Sequence, residues 1–346
     1  MTDRIEDLGE FGLIDYLTKD IKLFHKSTVK GVGDDAAVLN YGEKHLVVTT
    51  DLLIEGVHFD LVYTPLKHLG YKAVAVNLSD VYAMNACPKQ ITVSMAISGK
   101  FSLKAIDEIY EGIRLACDRY QVDLVGGDTT SSFTGMTISI TAIGEVEKKN
   151  IVYRSGAKEK NLVCVSGDLG GAYMGVQVLK REKQIFKDMP EVQPQLDNYQ
   201  YVLERQLKPE PRRDVIELLK RLEVKPTAMI DISDGLSSEL FHICKQSDVG
   251  CLIYEDRIPI NEKTLEATKE MNIHPVTAAL DGGEDYEMLF TVSLNDLDKI
   301  KDIEGISIIG YIADKSEGLR MQTKQGELVD LKALGWKSFQ IKEKDD

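Results

Sequence analysis

The sequence predicts an α+β protein of two domains. Strand-like and helix-like stretches mix without strict alternation, which disfavours a doubly wound sheet. The length of 346 residues suits two domains and leaves ample material for a core. Around residues 145–150 the pattern breaks into Glu-Lys-Lys-Asn. The boundary is placed there, giving domains of 1–148 and 149–346.

The elements follow in order. Residues 8–18 carry apolar positions at Leu8, Phe11, Leu13, Ile14 and Leu17 and predict a short helix. Lys44 to Thr50 predicts a buried strand with Asp51 at its end. Leu66 to Met84 predicts a helix, since Leu69, Ala73, Val76, Asn77 and Asp80 fall near one face. A strand at Gln90–Ile97 precedes a helix to about Tyr120, with Ser102 as its N-cap. Strands at Val122–Val125 and Met136–Gly144 close the first half. In the second half, strands are expected at Leu162–Val165, Ala228–Ile232, Gly250–Tyr254, Met288–Val292 and Ile306–Ile312. Helices are expected after Gly171, from about Asp234 to Gln246, and at 262–271. Residues 183–200 are polar with two prolines and predict a surface excursion.

Seven aspartates sit in short, mostly Gly- or Ser-flanked segments: Asp34 and Asp35, Asp51, Asp80, Asp128, Asp231 and Asp234. Two carboxylates about 4 Å apart repel by roughly 4 kcal/mol at an effective dielectric near 20. If the fold gathers them, a cation must hold them. Mg²⁺ prefers oxygen ligands and shares them with substrate phosphates. Each aspartate alone could be a cap or an Asx-turn, and Asp34, beside Asp35, is the one read as structural. Thr49-Thr50-Asp51 and Gly126-Gly127-Asp128-Thr129-Thr130 place further oxygens beside a strand end.

Composition narrows the class. The net charge of −14 argues against nucleic acid as a partner. The N-terminus lacks the pattern of a secretory signal, and no apolar run approaches a membrane span. Five scattered cysteines without C-x-x-C spacing fit free thiols in a reducing cytoplasm. No Walker loop and no protein-kinase motif set occurs. Gly167-Asp-Leu-Gly-Gly could offer amides to a phosphate at a helix start, or be a tight turn. Of six histidines, His58 is the best site candidate. Arg154 suits phosphate in principle. Trp336 is either a core anchor or a stacking platform.

Gly33-Asp-Asp-Ala-Ala-Val, Thr49-Thr-Asp-Leu-Leu-Ile-Glu-Gly-Val-His-Phe59, Asn77-Leu-Ser-Asp80, Gly126-Gly-Asp-Thr-Thr130, Arg154-Ser-Gly-Ala157, Asp231-Ile-Ser-Asp-Gly-Leu236 and Gly282-Gly-Glu-Asp-Tyr-Glu287 together resemble the thiamine-monophosphate kinase family. Order and spacing agree over nearly the whole chain. The resemblance implies an aminoimidazole ribonucleotide synthetase-like fold whose N-terminal domains pair in a homodimer through a shared barrel-like sheet. It implies ATP as co-substrate, several Mg²⁺ ions and thiamine monophosphate as acceptor. Asp35, Thr49, Thr50, Asp51, Asp80, Asp128, Asp231 and Asp234 match metal positions. Tyr110, Gly127, Asp128, Arg154 and Ser233 match nucleotide contacts. His58, Glu284 and Trp336 match positions that hold thiamine phosphate. Asp35, Asp51, Asp80, Asp128 and Arg154 would carry the chemistry. A selenophosphate synthetase of the same superfamily would need a reactive cysteine early in the chain, and none precedes Cys87. A non-catalytic ion or nucleotide sensor is the rival from another class.

Overall fold

The computed structural model describes residues 12–14 and 16–332, so Trp336 lies outside the described residues. Residues 12–14 and 16–18 are helical, within the helix expected at 8–18. The first half builds one sheet from β1 (Thr28–Lys30), β2 (Ala37–Asn40), β3 (Lys44–Ile54), β4 (Cys87–Ile97), β5 (Asp123–Ser131) and β6 (Thr137–Glu147), in the order β1-β2-β3-β6-β4-β5. Neighbours run antiparallel except β4 and β5, which are parallel and joined through the helix Leu103–Tyr120. The sheet does not close on itself, and β1 and β5 are its edges. Along β6 burial alternates, with Ile138, Ile140 and Ala142 turned inward.

The second half builds a seven-stranded sheet from β7 (Leu162–Ser166), β8 (Ala228–Asp231), β9 (Gly250–Tyr254), β10 (Met288–Val292), β11 (Ile306–Ala313), β12 (Leu319–Gln322) and β13 (Leu328–Asp330). Its order is β13-β12-β9-β11-β7-β10-β8, antiparallel except for β9 with β12. β8 and β10 are buried along their whole length, which their short apolar runs foretell.

The helix Leu66–Ala83 joins the halves. Fourteen of its 18 residues are buried, so it behaves as a core helix rather than a surface one. One continuous core contains its Leu69, Val74 and Leu78 together with Cys164, Met229 and Phe290 of the second sheet. Two glycines let it approach the helix Leu103–Tyr120. A Cβ on Gly70 would stand 1.9 Å from the Ile109 carbonyl oxygen, and one on Gly112 would stand 1.9 Å from that of Lys67. Ser102 caps the second helix as expected, its Oγ accepting from the Ala105 amide at 3.2 Å.

Some expectations need correcting. The helix Gly171–Asp188 runs well into the supposed excursion at 183–200, because buried Glu182 accepts from the Gln195 amide at 2.9 Å and pins the turn beyond it. The helix expected from about Asp234 to Gln246 spans Leu236–Ser247. Helices Gln200–Leu207, Arg213–Arg221, Pro275–Asp281 and Leu297–Ile300 and strands β1, β2, β12 and β13 went unforeseen. All five cysteines are free, with only Cys87 exposed. Among the described residues, no helix is long and apolar enough to cross a membrane.

Gly112→Ala tests the helix contact. Helix propensity alone would favour alanine by about 1 kcal/mol. The Cβ meets backbone that cannot swing away, and overpacking of this kind costs typically 1–3 kcal/mol or more. A net loss of about 1–2 kcal/mol is expected in urea denaturation; an unchanged or higher midpoint would show that the helices are not in close contact.

Candidate active site

Three acidic side chains converge, and a fourth, Asp51, is near enough for its charge to act on two of them. Asp35 comes from the β1–β2 connection, Asp51 from β3, Asp80 from the helix Leu66–Ala83 and Asp231 from the end of β8. Carboxylate oxygens of Asp35, Asp80 and Asp231 all lie within 4.8 Å of one another. The period of two along β3 turns Thr49 and Asp51 to one face and Thr50 to the other. Thr49 Oγ1 donates to Asp80 Oδ2 at 2.6 Å, whereas Thr50 Oγ1 donates to the Ile140 carbonyl at 3.1 Å. Asp51 is not at a strand end as expected; β3 continues to Ile54, with Asp51 opposite Ile140 of β6. Its amide donates to Asn77 Oδ1 at 3.0 Å. Ser79 Oγ donates to Asp231 Oδ2 at 2.6 Å, so the helix orients an acid of the second sheet.

Arg154 is the cation among these acids. Its Nη2 donates to Asp35 Oδ1 at 2.8 Å, and its amide donates to Asp34 Oδ1 at 3.1 Å. Lys30 stands 3.6 Å from the other Asp34 oxygen. Asp34 is tied to the loop through Oδ1, while its buried Oδ2 has Lys30 nearby but no hydrogen-bond partner. Asp35 Oδ2 is buried with no hydrogen-bond partner.

The acids are protonated more readily than usual. Burial raises Asp51 to about 6. Burial, and then the charge of Asp35, raise Asp231 to about 7. Asp80 is raised well above the usual range by burial and then by Asp51, Asp231 and Asp35. Burial alone would lower the Arg154 guanidinium, but Asp35 and Asp34 push it up.

A second group flanks the cluster. The 282–287 loop folds onto the turn after β8, and the Glu284 and Tyr286 amides donate to the Ser233 and Ile232 carbonyls at 2.7 and 2.8 Å. Glu284 and Tyr286 hold positive φ, 67° and 51°, a strained state that clusters at functional sites. Glu239, which the sequence reading missed, reaches back from the helix Leu236–Ser247. Its Oε1 accepts from the Ser233 and Asp234 amides at 3.2 and 2.8 Å, fixing the turn that carries Asp234. Burial and then Asp234 raise Glu239 well above its usual range. No capping-box spacing announces it, since that motif puts its acid three residues after the cap and Glu239 lies four after Gly235.

The remaining candidates sit apart. Asp128 lies on the exposed edge strand β5 and is not among the three acids whose oxygens converge. A Cβ on neighbouring Gly127 would fall 1.8 Å from the Val93 carbonyl oxygen, so only glycine permits this approach of β5 to β4. Tyr110 packs, partly buried, against the core. His58 is partly buried, and its Nδ1 accepts from the Ile54 amide at 3.0 Å. The amides after Gly167 are not a phosphate cradle: those of Gly170 and Ala172 donate to Asp285 at 2.7 and 3.2 Å. The acid next to Glu284 has filled that helix start.

The raised acids give a pH dependence. Unfolded aspartates titrate near 4, while Asp51 and Asp231 titrate at about 6 and 7 in the fold. Between those values the unfolded chain releases protons that the fold retains, so stability falls as pH rises. Chelator-treated protein should lose at least about 2 kcal/mol between pH 5 and pH 8. Excess Mg²⁺ should restore more at pH 8 than at pH 5. Equal Mg²⁺ effects in thermal melts at both pH values would show that these acids do not gather the ion.

Comparison with known proteins places the chain. The N-terminal domain of AIR synthase related protein matches residues 33–146, and its C-terminal domain matches 158–318. A thiamine-monophosphate kinase of Bacillus subtilis is 35% identical over 345 residues, covering 96% of this chain and 100% of that one. The enzyme of Escherichia coli is 34% identical, covering 96% and 97%. Among solved structures, AaThiL complexed with AMPPCP and TMP superposes with a TM-score of 0.83 at 32% identity, covering 98% of this chain and 100% of that one. A hydrogenase maturation protein HypE in complex with ATP, at 19% identity and a TM-score of 0.68, shares the fold. The two-domain AIR synthase-like fold and the near-full-length identity show that this chain belongs to the thiamine-monophosphate kinase family.

Proposed function

We propose that the chain transfers the γ-phosphoryl group of ATP to thiamine monophosphate, giving ADP and thiamine diphosphate, the last step of thiamine diphosphate biosynthesis. The observation that carries this reading is the convergence of Asp35, Asp80 and Asp231 beside Arg154 in a member of this family. A related structure holding AMPPCP and TMP supports both substrates.

The donor set fits Mg²⁺. It offers hard carboxylate oxygens, raised acids that gain by losing a proton to a cation, and a buried Asp35 Oδ2 without a partner. Asp35, Asp51, Asp80, Asp128, Asp231 and Asp234 would hold several ions, with Thr49 contributing an oxygen and Thr50, whose side chain faces away, only a backbone oxygen. Bound Mg²⁺ supplies charge neutralisation between the two phosphates. The chain's own residues do the rest. Arg154 adds fixed positive charge beside the nucleotide phosphates. Tyr110, Gly127, Asp128 and Ser233 contact the nucleotide. His58, Glu284 and Trp336 hold the acceptor, Glu284 facing its aminopyrimidine. No general base is needed, because a phosphate monoester with a second pKa of about 6 is already anionic. The task is to align two anions for direct in-line transfer.

The reading extends to a cytoplasmic homodimer. The edge strand β5 is exposed along all nine residues, with Leu124 at 40% and Val125 at 58%. Such an edge invites association unless another chain covers it. Pairing there would bring Asp128 and Gly127 to the boundary between copies.

Phosphorus NMR of ATP, Mg²⁺ and thiamine monophosphate with the purified chain tests the reaction. Metal-dependent thiamine diphosphate with matching ADP is expected; ADP alone would mean another acceptor, and no turnover would favour a sensor. Asp51→Asn should lower kcat by about 100-fold or more, the scale of losing one preorganised charge interaction. Normal turnover at ordinary Mg²⁺ would remove Asp51 from the metal set.

A further inference from the structure

Lys72 is a lysine in the wrong place for a surface charge. It lies in the middle of the helix Leu66–Ala83 and its side chain is only 3% exposed. A buried ammonium is costly unless it is paired and hydrogen-bonded. Its Nζ stands 2.9 Å from Glu284 Oε1 and donates to the Gln206 carbonyl at 3.2 Å. Gln206 closes the triangle, its Nε2 donating to Glu284 Oε2 at 2.7 Å. Both oxygens of Glu284 are thus held by groups on two other elements, and its amide is held by Ser233. Each carboxylate oxygen keeps a further acceptor site for a ligand.

The same helix face reaches the acid cluster. Seven residues on from Lys72, Ser79 orients Asp231. Seven residues of α-helix advance about 10.5 Å and return to within about 20° of the starting face. One rigid face therefore holds two acids of the other half, Glu284 at one end and Asp231 at the other. β8 and β10 connect those two acids directly, because Asp231 pairs with Met288, four residues after Glu284.

We propose that Lys72 is a positioning residue that fixes Glu284, and that the Lys72–Ser79 face is a ruler setting the spacing between the acceptor's ring and the metal cluster. This rests on the reading that Glu284 contacts thiamine monophosphate. Gln206 is the second support of the same carboxylate. The partners of Lys72 are Glu284 and the Gln206 carbonyl rather than the acids of the cluster, so its loss should be felt by one substrate only.

The test is steady-state kinetics on the full chain with each substrate varied in turn. Lys72→Met keeps the buried stem and removes the charge. It should raise KM for thiamine monophosphate about tenfold or more, with ATP KM and the Mg²⁺ requirement within about twofold. Lys72→Arg should fall between the two. Gln206→Leu, acting on the other oxygen from a different helix, should shift the same constant and carries the test if Lys72→Met does not fold. The double variant Lys72→Met/Glu284→Ala should be no worse than Glu284→Ala alone. Proportional losses for both substrates, or additive effects, would overturn the ruler. Glu284→Ala separates the two levels. If it leaves thiamine monophosphate KM unchanged, the substrate reading falls and takes the ruler with it. If it raises that KM while Lys72→Met and Gln206→Leu do not, the ruler alone falls.

Discussion

Carboxylates withdrawn from water and set beside one another govern this fold. Asp35, Asp80 and Asp231 form three repelling pairs, each of roughly 3–4 kcal/mol at an effective dielectric near 20. Arg154 offers one close attraction of similar size, to Asp35. One guanidinium cannot offset three repulsions, and the deficit is comparable with the whole stability of a domain, roughly 5–15 kcal/mol. The chain without a divalent cation answers by keeping protons, which is why Asp80 and Asp231 are raised. A divalent cation removes both the repulsion and the need for those protons. The cluster is a cost to folding that a ligand can reverse.

Apart from the Arg154–Asp35 pair, what holds the cluster passes through the helix Leu66–Ala83. Because it is buried nearly all round, it can touch both sheets at once. Four of its polar residues are committed to the site: Lys72 to Glu284, Asn77 to the amide of Asp51, Ser79 to Asp231, and Asp80 to the cluster itself. Glycines 70 and 112 serve the same end from outside, letting the helix Leu103–Tyr120 press close enough to keep it in place.

Much of the site could be read from the chain, because each metal-type aspartate sits in a local pattern that stands out beside ordinary surface acids. Asp231 ends an apolar run, Asp80 shares a helical face with Asn77, and Asp51 follows two threonines. What escaped was long-range pairing. Lys72 meets Glu284 across more than two hundred residues, and nothing near Lys72 marks it as buried. Gln206 sits on a short helix whose polar sequence gives weak periodicity. The helix Arg213–Arg221 was more legible than its omission suggests, since Val215 and Leu219 stand four apart and are both buried. Gly167-Asp-Leu-Gly-Gly left a phosphate cradle and a tight turn open, and it forms the turn. Its helix start does bind an anion, but the anion is Asp285 from the same chain.

That last case shows how a structural acid differs from a functional one when both are buried. Glu287 lies two residues from Asp285, and burial pushes it up as well. Yet Arg205 Nη1 meets one of its oxygens at 2.9 Å, while Arg212 Nη1 and Ser166 Oγ meet the other. Its cationic partners come from the chain, so the fold asks nothing further of a ligand. A Cβ on Gly167 would fall 2.3 Å from Glu287 Oε1, so the turn is shaped to admit that carboxylate. At the Asp35–Asp80–Asp231 cluster the neighbours are mainly other carboxylates, and Asp35 Oδ2 is left without a donor. The two groups have similar residue types and similar depth. What separates them is whether the chain supplies the positive charge: it does at Glu287, and it does so only through Arg154 on Asp35 at the cluster.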